Sequence, residues 1–271
     1  MQLLRSLIQD RAARVGVTTV ALFTVLALVS PYLGIRNPYE QSVHTYSPPS
    51  LRHLLGTDHL GRETLGGVIW GSRVSLTFGF VVAVLSGLVG MVLGALSGYY
   101  GGLFDDILSR FIEVFIAVPP LFVIILIVSL FGSSLTLTMV VVGILIWPSN
   151  ARIMRAQVLS IRRREYVFAA VAAGATDLRI LLRHVLPNSL GPLVANSTLQ
   201  VGFAIGLEAG LSFLGLGDPN VISWGQMLYV SQTHYRNAWW MVVFPGLCVA
   251  AAVLGFNLVG DALGKWAAPG R

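Results

Sequence analysis

The chain has 271 residues, of which 55% are apolar and 11% charged, with a formal net charge of +6. Soluble domains carry roughly 25% charged residues, so this composition argues against a cytosolic enzyme and for a polytopic membrane protein. The basic excess does not point to nucleic acid, because the charges fall in the gaps between apolar runs and read as membrane topology.

Residues 1–14 contain Arg5, Arg11 and Arg14 and are read as a cytoplasmic N-terminus. Residues 15–35 follow without a charge for 21 positions. This run is too apolar over too great a length for a signal peptide, and it lacks a clear small-residue cleavage site. It is read as the first span. Residues 36–73 form an outer loop, rich in Pro and polar residues at its start. His53, Asp58, His59 and Glu63 lie in it. The two histidines could converge on a metal, but the preferred reading is surface polarity with an Asp58–Arg62 pair at i,i+4, and no metal site is assigned.

The second span begins at residue 74. Ser86, Gly90, Gly94 and Gly98 recur in it every four residues, as Gly202, Gly206 and Gly210 do later. Small residues at this spacing let helices approach closely in lipid, which suits both tight bundle packing and faces that rock during gating. Asp105-Asp106 follows a Gly98-Tyr99-Tyr100-Gly101-Gly102 turn. Paired aspartates can hold a divalent metal, yet at a helix start they more often cap free amides, which is the role expected. Residues 114–151 are uncharged for 38 positions, about 57 Å as a helix and nearly twice a hydrocarbon core. Two spans are therefore predicted, near 107–131 and 135–149, broken at Gly132-Ser133-Ser134.

The inner segment 150–188 is strongly basic and reads as helical. Tyr166, Ala169, Ala170 and Ala173 fall on one narrow ridge, and Gly174 can end the helix. Thr176 or Asp177 can cap a second helix over 178–185. Two short helices joined by a tight turn would stand off the membrane as a protrusion. A small-residue ridge suits a groove in another protein, whereas Arg162-Arg163-Arg164 suits an anionic lipid surface. The residues alone leave both open.

The fifth apolar run, 185–217, contains one charge, Glu208. An ionisable group within a membrane is a functional candidate. Glu208 is expected to line a pathway or pair across a subunit interface, the alternatives being a structural ion pair or a shallow, wetted position. The sixth run, 237–260, is uncharged for 24 residues. Residues 74–264 thus form a core of spans two to six, with 265–271 as an inner C-terminus. Thirteen basic residues fall on the side of both termini and five (Arg36, Arg52, Arg62, Arg73 and Arg236) on the other, which sets the termini inside. Trp70, Trp147, Trp239, Trp240 and Trp266 fall near span ends, where interfacial aromatics are expected. Cys248 stands alone, which excludes an internal disulfide. His184, His234, Asp218 and Asp261 are scattered to opposite faces, so no catalytic residue is assigned. Lys265 follows a glycine, but Val259 and Trp266 occupy positions that a phosphate-binding loop reserves for Gly and Ser/Thr.

Glu165-Tyr166-Val167-x-Ala169-Ala170-x3-Gly174-x9-His184-x-Leu186-Pro187-Asn188 resembles the EAA loop of ABC importer permeases. Phe168 stands at the position of the eponymous Glu, and His184 at that of an Ile. Both departures resemble the peptide/nickel branch. So do Leu55-Gly56-Thr57-Asp58-His59-Leu60-Gly61-Arg62, Gly98-Tyr99-Tyr100-Gly101-Gly102, Leu211-Ser212-Phe213-Leu214-Gly215-Leu216-Gly217, Ser223-Trp224-Gly225 and Phe256-Asn257-Leu258-Val259-Gly260-Asp261.

The resemblance implies an all-α, six-helix permease of the type I ABC importer fold in a bacterial cell membrane. It implies a heterodimer with a homologous second permease, two cytoplasmic ATPases that hold the ATP and Mg, and an extracytoplasmic binding protein; nucleic acid has no part. Arg164, Glu165, Tyr166, Ala169, Ala170, Gly174, Ala175 and Thr176 would form the surface that couples to the ATPases. Dipeptides or oligopeptides are the expected cargo, with nickel, a metal chelate or glutathione-like peptides as alternatives. An ATP-independent channel or secondary transporter is the competing class, but the spans hold few charges and no ion-relay chain.

Overall fold

The computed structural model describes residues 10–32 and 38–267. Arg5, Arg36 and Arg271, three of the charges behind the topology, and the end of the first predicted span lie outside the described residues. Among those described, the chain is helical, with one isolated bridge between Thr57 and Glu63 and no strand.

The first helix, α1 (Arg11–Val29), is capped by Asp10, whose carboxylate accepts the Ala12 N–H at 3.0 Å. Helix α2 (Thr64–Tyr100) has 37 residues, about 55 Å, so it extends well beyond the span predicted from residue 74. It ends where Gly101 turns at φ +67. The predicted third span is not one helix. It divides into α3 (Gly102–Ala117) and α4 (Pro120–Phe131), bent by 75°. The cause is Pro119-Pro120. A proline drives the residue before it out of the helical region, and Val118 (ψ 119) and Pro119 (ψ 123) are both extended.

The break expected at Gly132-Ser133-Ser134 is present, with Gly132 at φ +91. Helix α5 (Leu135–Arg162) then runs unbroken for 28 residues, so the fourth span and the start of the basic segment are one rod. Asp218 covers its N-terminus by accepting the Leu135 N–H at 3.2 Å. Two short helices follow, α6 (Glu165–Ala172) and α7 (Asp177–Ile180). A wide π turn over Leu181–Val185 feeds α8 (Leu186–Leu211), and another over Ser212–Leu216 closes it. A short helix, α9 (Trp224–Ser231), precedes α10 (Trp240–Ala267). Among the described residues, five helices are long and apolar enough to cross a membrane, or six spans if the bent α3–α4 pair counts as one.

The small-residue stripes now have partners. A Cβ on Gly98 would lie 2.8 Å from the Arg155 carbonyl, and Gly90 and Gly94 abut Asn150, Ala151 and Met154. The first stripe is therefore the α2–α5 seam. The second is used in part: Gly202 packs on Val253 and Phe256 of α10 and Gly206 on Val253, while Gly210 faces open space.

A polar layer crosses the apolar interior. The Ser86 hydroxyl donates to Gln200 Oε1 at 2.6 Å, Asn150 Nδ2 donates to the same oxygen at 2.7 Å, and Asn196 Nδ2 donates to Asn150 Oδ1 at 2.7 Å. These bonds join α2, α5 and α8 at one level. In a membrane such interhelical bonds contribute about 0.6–2 kcal/mol each.

Two of the tryptophans expected at the interface are instead inside the fold. Trp147 is buried against Phe111 and Phe115. Trp240 is buried and donates its indole N–H to the Thr57 carbonyl at 3.0 Å, which fastens the loop before α2 to α10. At the opposite end of the bundle, Lys265 lies 3.5 Å from Asp10, and a Cβ on Gly191 would meet Ala267 at 3.0 Å. The start of α1, the end of α10 and the start of α8 therefore share one end, together with α6 and α7.

Candidate functional site

The α6–α7 protrusion is built on a complete helix-ending turn. The Gly174 N–H donates to the Val171 carbonyl at 2.9 Å and the Ala175 N–H to the Ala170 carbonyl at 3.1 Å. That pair of bonds needs a left-handed residue at the turn, and Gly174 has φ +80. Thr176 then starts α7 with its backbone alone, since its side chain makes no capping bond. Asp177 does not cap either. Its carboxylate accepts the Tyr99 hydroxyl at 2.9 Å.

The protrusion is rooted in the bundle. Val167, Ile180, Leu181 and Val185 are buried against Met154, Val158 and Ile161 of α5. Arg162 donates to the Tyr99 carbonyl at 2.5 Å and lies 5.5 Å from the centre of the Tyr99 ring. Asp105, expected to cap α3, instead grips Arg155 through two bonds of 2.5 and 2.6 Å and also accepts from Ser97. The Tyr99–Asp177 and Asp105–Arg155 contacts tie the ends of α2 and α3 to α5 and the protrusion.

The outward face differs from the expected ridge of small residues. Ala169 and Ala173 are exposed as anticipated, but Ala170 is half-buried and packs on the bundle. Phe168 is 61% exposed and Leu178 62%, with Tyr166 and Val171 also open. Phe168, in sequence only a departure from the motif, is thus part of this open face. Arg164, Glu165, Gly174 and Thr176 are exposed and Ala175 is half-buried. The knob thus offers an apolar surface with a basic rim, open among the described residues.

Glu208 lies far from the protrusion. It is 4% exposed. Its carboxylate accepts from Ser223 at 2.6 Å, Ser212 at 2.9 Å and Ser75 at 3.5 Å. Among the described residues it has neither a cationic partner nor a wetted position, so the ion-pair and shallow-position alternatives do not hold. The three serines come from α8's end, α2 and the segment before α9. Trp224 completes the joint: its amide N–H donates to Ser75 at 3.3 Å and its indole N–H to the Val68 carbonyl at 2.9 Å. Gly225 must lack a Cβ here, because one would sit 2.7 Å from the Ala209 Cα.

In the outer loop the expected Asp58–Arg62 side-chain pair is absent, because the loop is not helical. Asp58 Oδ1 instead accepts the backbone N–H groups of Leu60 and Arg62, each at 2.8 Å. His53 and His59 do not converge. His53 Nδ1 lies 2.7 Å from Glu63 Oε1, while the His59 ring stacks on His234 at 4.6 Å.

Comparison with known proteins gives a consistent result. A family described as binding-protein-dependent transport system inner membrane component matches residues 90–271. The dipeptide transport system permease protein DppC of Alkalihalophilus pseudofirmus is 36% identical over 261 residues, covering 96% of this chain and 86% of that protein. The DppC of Bacillus subtilis is 37% identical over 262 residues, covering 96% and 82%. Among solved structures, an inward-facing MetNI methionine ABC transporter matches with a TM-score of 0.60 at 19% identity, over 75% of this chain and 97% of that one. That last likeness concerns the fold.

Proposed function

Because the chain belongs to the binding-protein-dependent transport system inner membrane components, the permeases of ABC importers, we propose that it forms half of an ATP-driven pathway for short peptides. A homologous permease supplies the other half. Two cytoplasmic ATPases bind the ATP and Mg, and an extracytoplasmic binding protein delivers the cargo. The relatives above are named for dipeptides, which supports peptides over nickel or a metal chelate.

The observation that carries the reading is the rigidly rooted, apolar knob around Gly174. An exposed patch of Tyr166, Phe168, Val171 and Leu178 is suited to a protein groove. ATPases closing on ATP push α6. Val167 and Ile180 pass the push to α5, and Asp177 passes it to Tyr99 at the end of α2. The α2–α5 seam is close-packed along Gly90, Gly94 and Gly98, so the two helices move together and open the bundle outward.

The knob and both described chain ends share one end of the bundle. The basic residues Arg11, Arg14, Arg152, Arg163, Arg164, Arg179, Arg183 and Lys265 cluster there, which supports a cytoplasmic placement for that end. Glu208 acts as a fastener between the pathway helices and the outer segment. The test is dipeptide uptake into right-side-out vesicles. It should require internal ATP and survive collapse of the proton gradient. Uptake driven by the gradient without ATP would contradict the reading and favour a secondary transporter.

A further inference from the structure

We propose that the outer face of this chain carries a subsite for a small zwitterion, a free dipeptide or amino acid with both its ammonium and its carboxylate; the inference rests on the peptide reading above. A cavity of about 190 Å³ lies between the loop 38–64 and the segment from Pro219 to Met241. One wall is polar, formed by Asp58, His59, Arg62, Glu63 and Thr64; Ile222 and Met227 make the facing wall apolar.

Three atoms of the polar wall lack hydrogen-bond partners although buried: His59 Nδ1, Arg62 Nε and the Thr64 hydroxyl. Thr64 is only 3% exposed. Buried polar groups are normally paired, and a cluster of unpaired ones calls for a ligand. Thr64 is also the first residue of α2, whose N-cap Glu63 makes no side-chain capping bond. A helix N-terminus favours negative charge. Arg62, Thr64 and the helix end together suit a carboxylate.

The same wall holds two carboxylates, each with one oxygen engaged by its own chain. Asp58 Oδ1 holds two backbone amides, and Glu63 Oε1 holds His53. Their second oxygens suit an ammonium. A bare anion entering here faces Asp58 and Glu63, and a bare cation faces Arg62 and the helix end. A group that carries both charges a few bonds apart satisfies both. The cavity is smaller than the ~300 Å³ at which sites for drug-sized ligands begin, so it takes a residue or two, with an apolar side chain against Met227.

The test uses the importer complex in nanodiscs without its binding protein, titrated with Ala-Leu, N-acetyl-Ala-Leu and Ala-Leu amide. Ala-Leu should bind at least tenfold tighter than either blocked form. Arg62→Met and Thr64→Val should each weaken Ala-Leu at least tenfold. Gly67→Ala gives an independent check, because its new Cβ would meet only the flexible Met227 side chain, Cε at 2.8 Å and Sδ at 3.2 Å, and crowd the cavity without a backbone clash. It should weaken Ala-Leu as well. Equal binding of free and blocked forms, absence of binding, or variants that match the parent would overturn the subsite. ATP-driven Ala-Leu uptake by the same complex with its binding protein separates the two ideas. Uptake with a negative titration removes the subsite alone, whereas no peptide uptake removes the transport reading and leaves the titration to decide the subsite.

Discussion

Glu208 Oε1 lies 2.6 Å from the Ser223 hydroxyl, and this contact joins a membrane-spanning helix to the segment that precedes α9. Ser212 and Ser75 donate to the same carboxylate, so one side chain gathers hydroxyls from three parts of the chain. All four residues are buried, and removing the shared acceptor takes from three buried hydroxyls the oxygen to which they donate.

Glu208→Ala should therefore lower stability by about 1–3 kcal/mol, seen as a lower Tm of the purified protein and faster proteolysis of residues 217–223. Glu208→Gln keeps an acceptor oxygen in place and should cost less. Equal Tm values for the Ala variant and the parent would exclude the fastening role.

Gly174 sits at φ +80, and no atom lies within 4 Å of the position its Cβ would take. Within this chain, any effect of substitution is therefore a backbone effect. Gly174→Val should cost about 1–2 kcal/mol for the left-handed conformation and reduce uptake while the chain still inserts. Gly174→Asn should retain most activity, because Asn tolerates this region. Indistinguishable uptake by the Val and Asn variants would mean that the turn geometry does not matter.

The exposed position Ala169 offers a cleaner test of seating than Ala170, whose half-buried side chain packs on the bundle. Ala169→Trp should abolish uptake and leave ATP hydrolysis uncoupled, with Tm unchanged. Normal uptake would show that the knob does not enter a close-fitting groove.

Tyr99→Phe removes the hydroxyl that donates to Asp177 at 2.9 Å, a loss of about 1 kcal/mol. The expected result is less peptide moved per ATP hydrolysed, at near-normal expression. An unchanged ratio would place the transmission elsewhere, along the Val167 and Ile180 contacts alone.

His59 gives a pH dependence. Its burial holds the imidazole pKa below the ordinary 6.5; Asp58 opposes this, while His234 and Arg62 reinforce it. Above about pH 6.5 the ring is neutral in both folded and unfolded chains and contributes nothing. As pH falls from there towards the lower folded value, the unfolded chain takes the proton first, so stability is lost. Cleavage of the outer loop by protease should speed up between pH 7 and pH 5.5, and His59→Gln should flatten the profile. Protection that rises on acidification would contradict the sign.

Much of this was legible in the residues. The break at Gly132-Ser133-Ser134, the Gly174 turn and the close-packed stripe through Gly90 and Gly94 are local signals, set by backbone freedom and by spacing on one helix. The bend at Pro119-Pro120 carried a signal of the same kind, hidden by the strength of the 38-residue apolar run. Other features depend on contacts between residues far apart in sequence. Ser86, Asn150 and Gln200 meet across three helices, and Tyr99 finds Asp177 from 78 positions away. Glu208 stood out as a lone acid, but its serine partners did not, because hydroxyls are common in spans. Phe168 and Leu178 were unremarkable apolar residues until the fold turned them outward.

The account stands most directly on what the knob touches. In a Cys248→Ala background, Phe168→Cys in the assembled complex should form a disulfide or bifunctional cross-link to an ATPase subunit, with a yield that changes when ATP is added. The same thiol reacting freely with a water-soluble maleimide in the assembled complex, or cross-linking only to lipid, would contradict it.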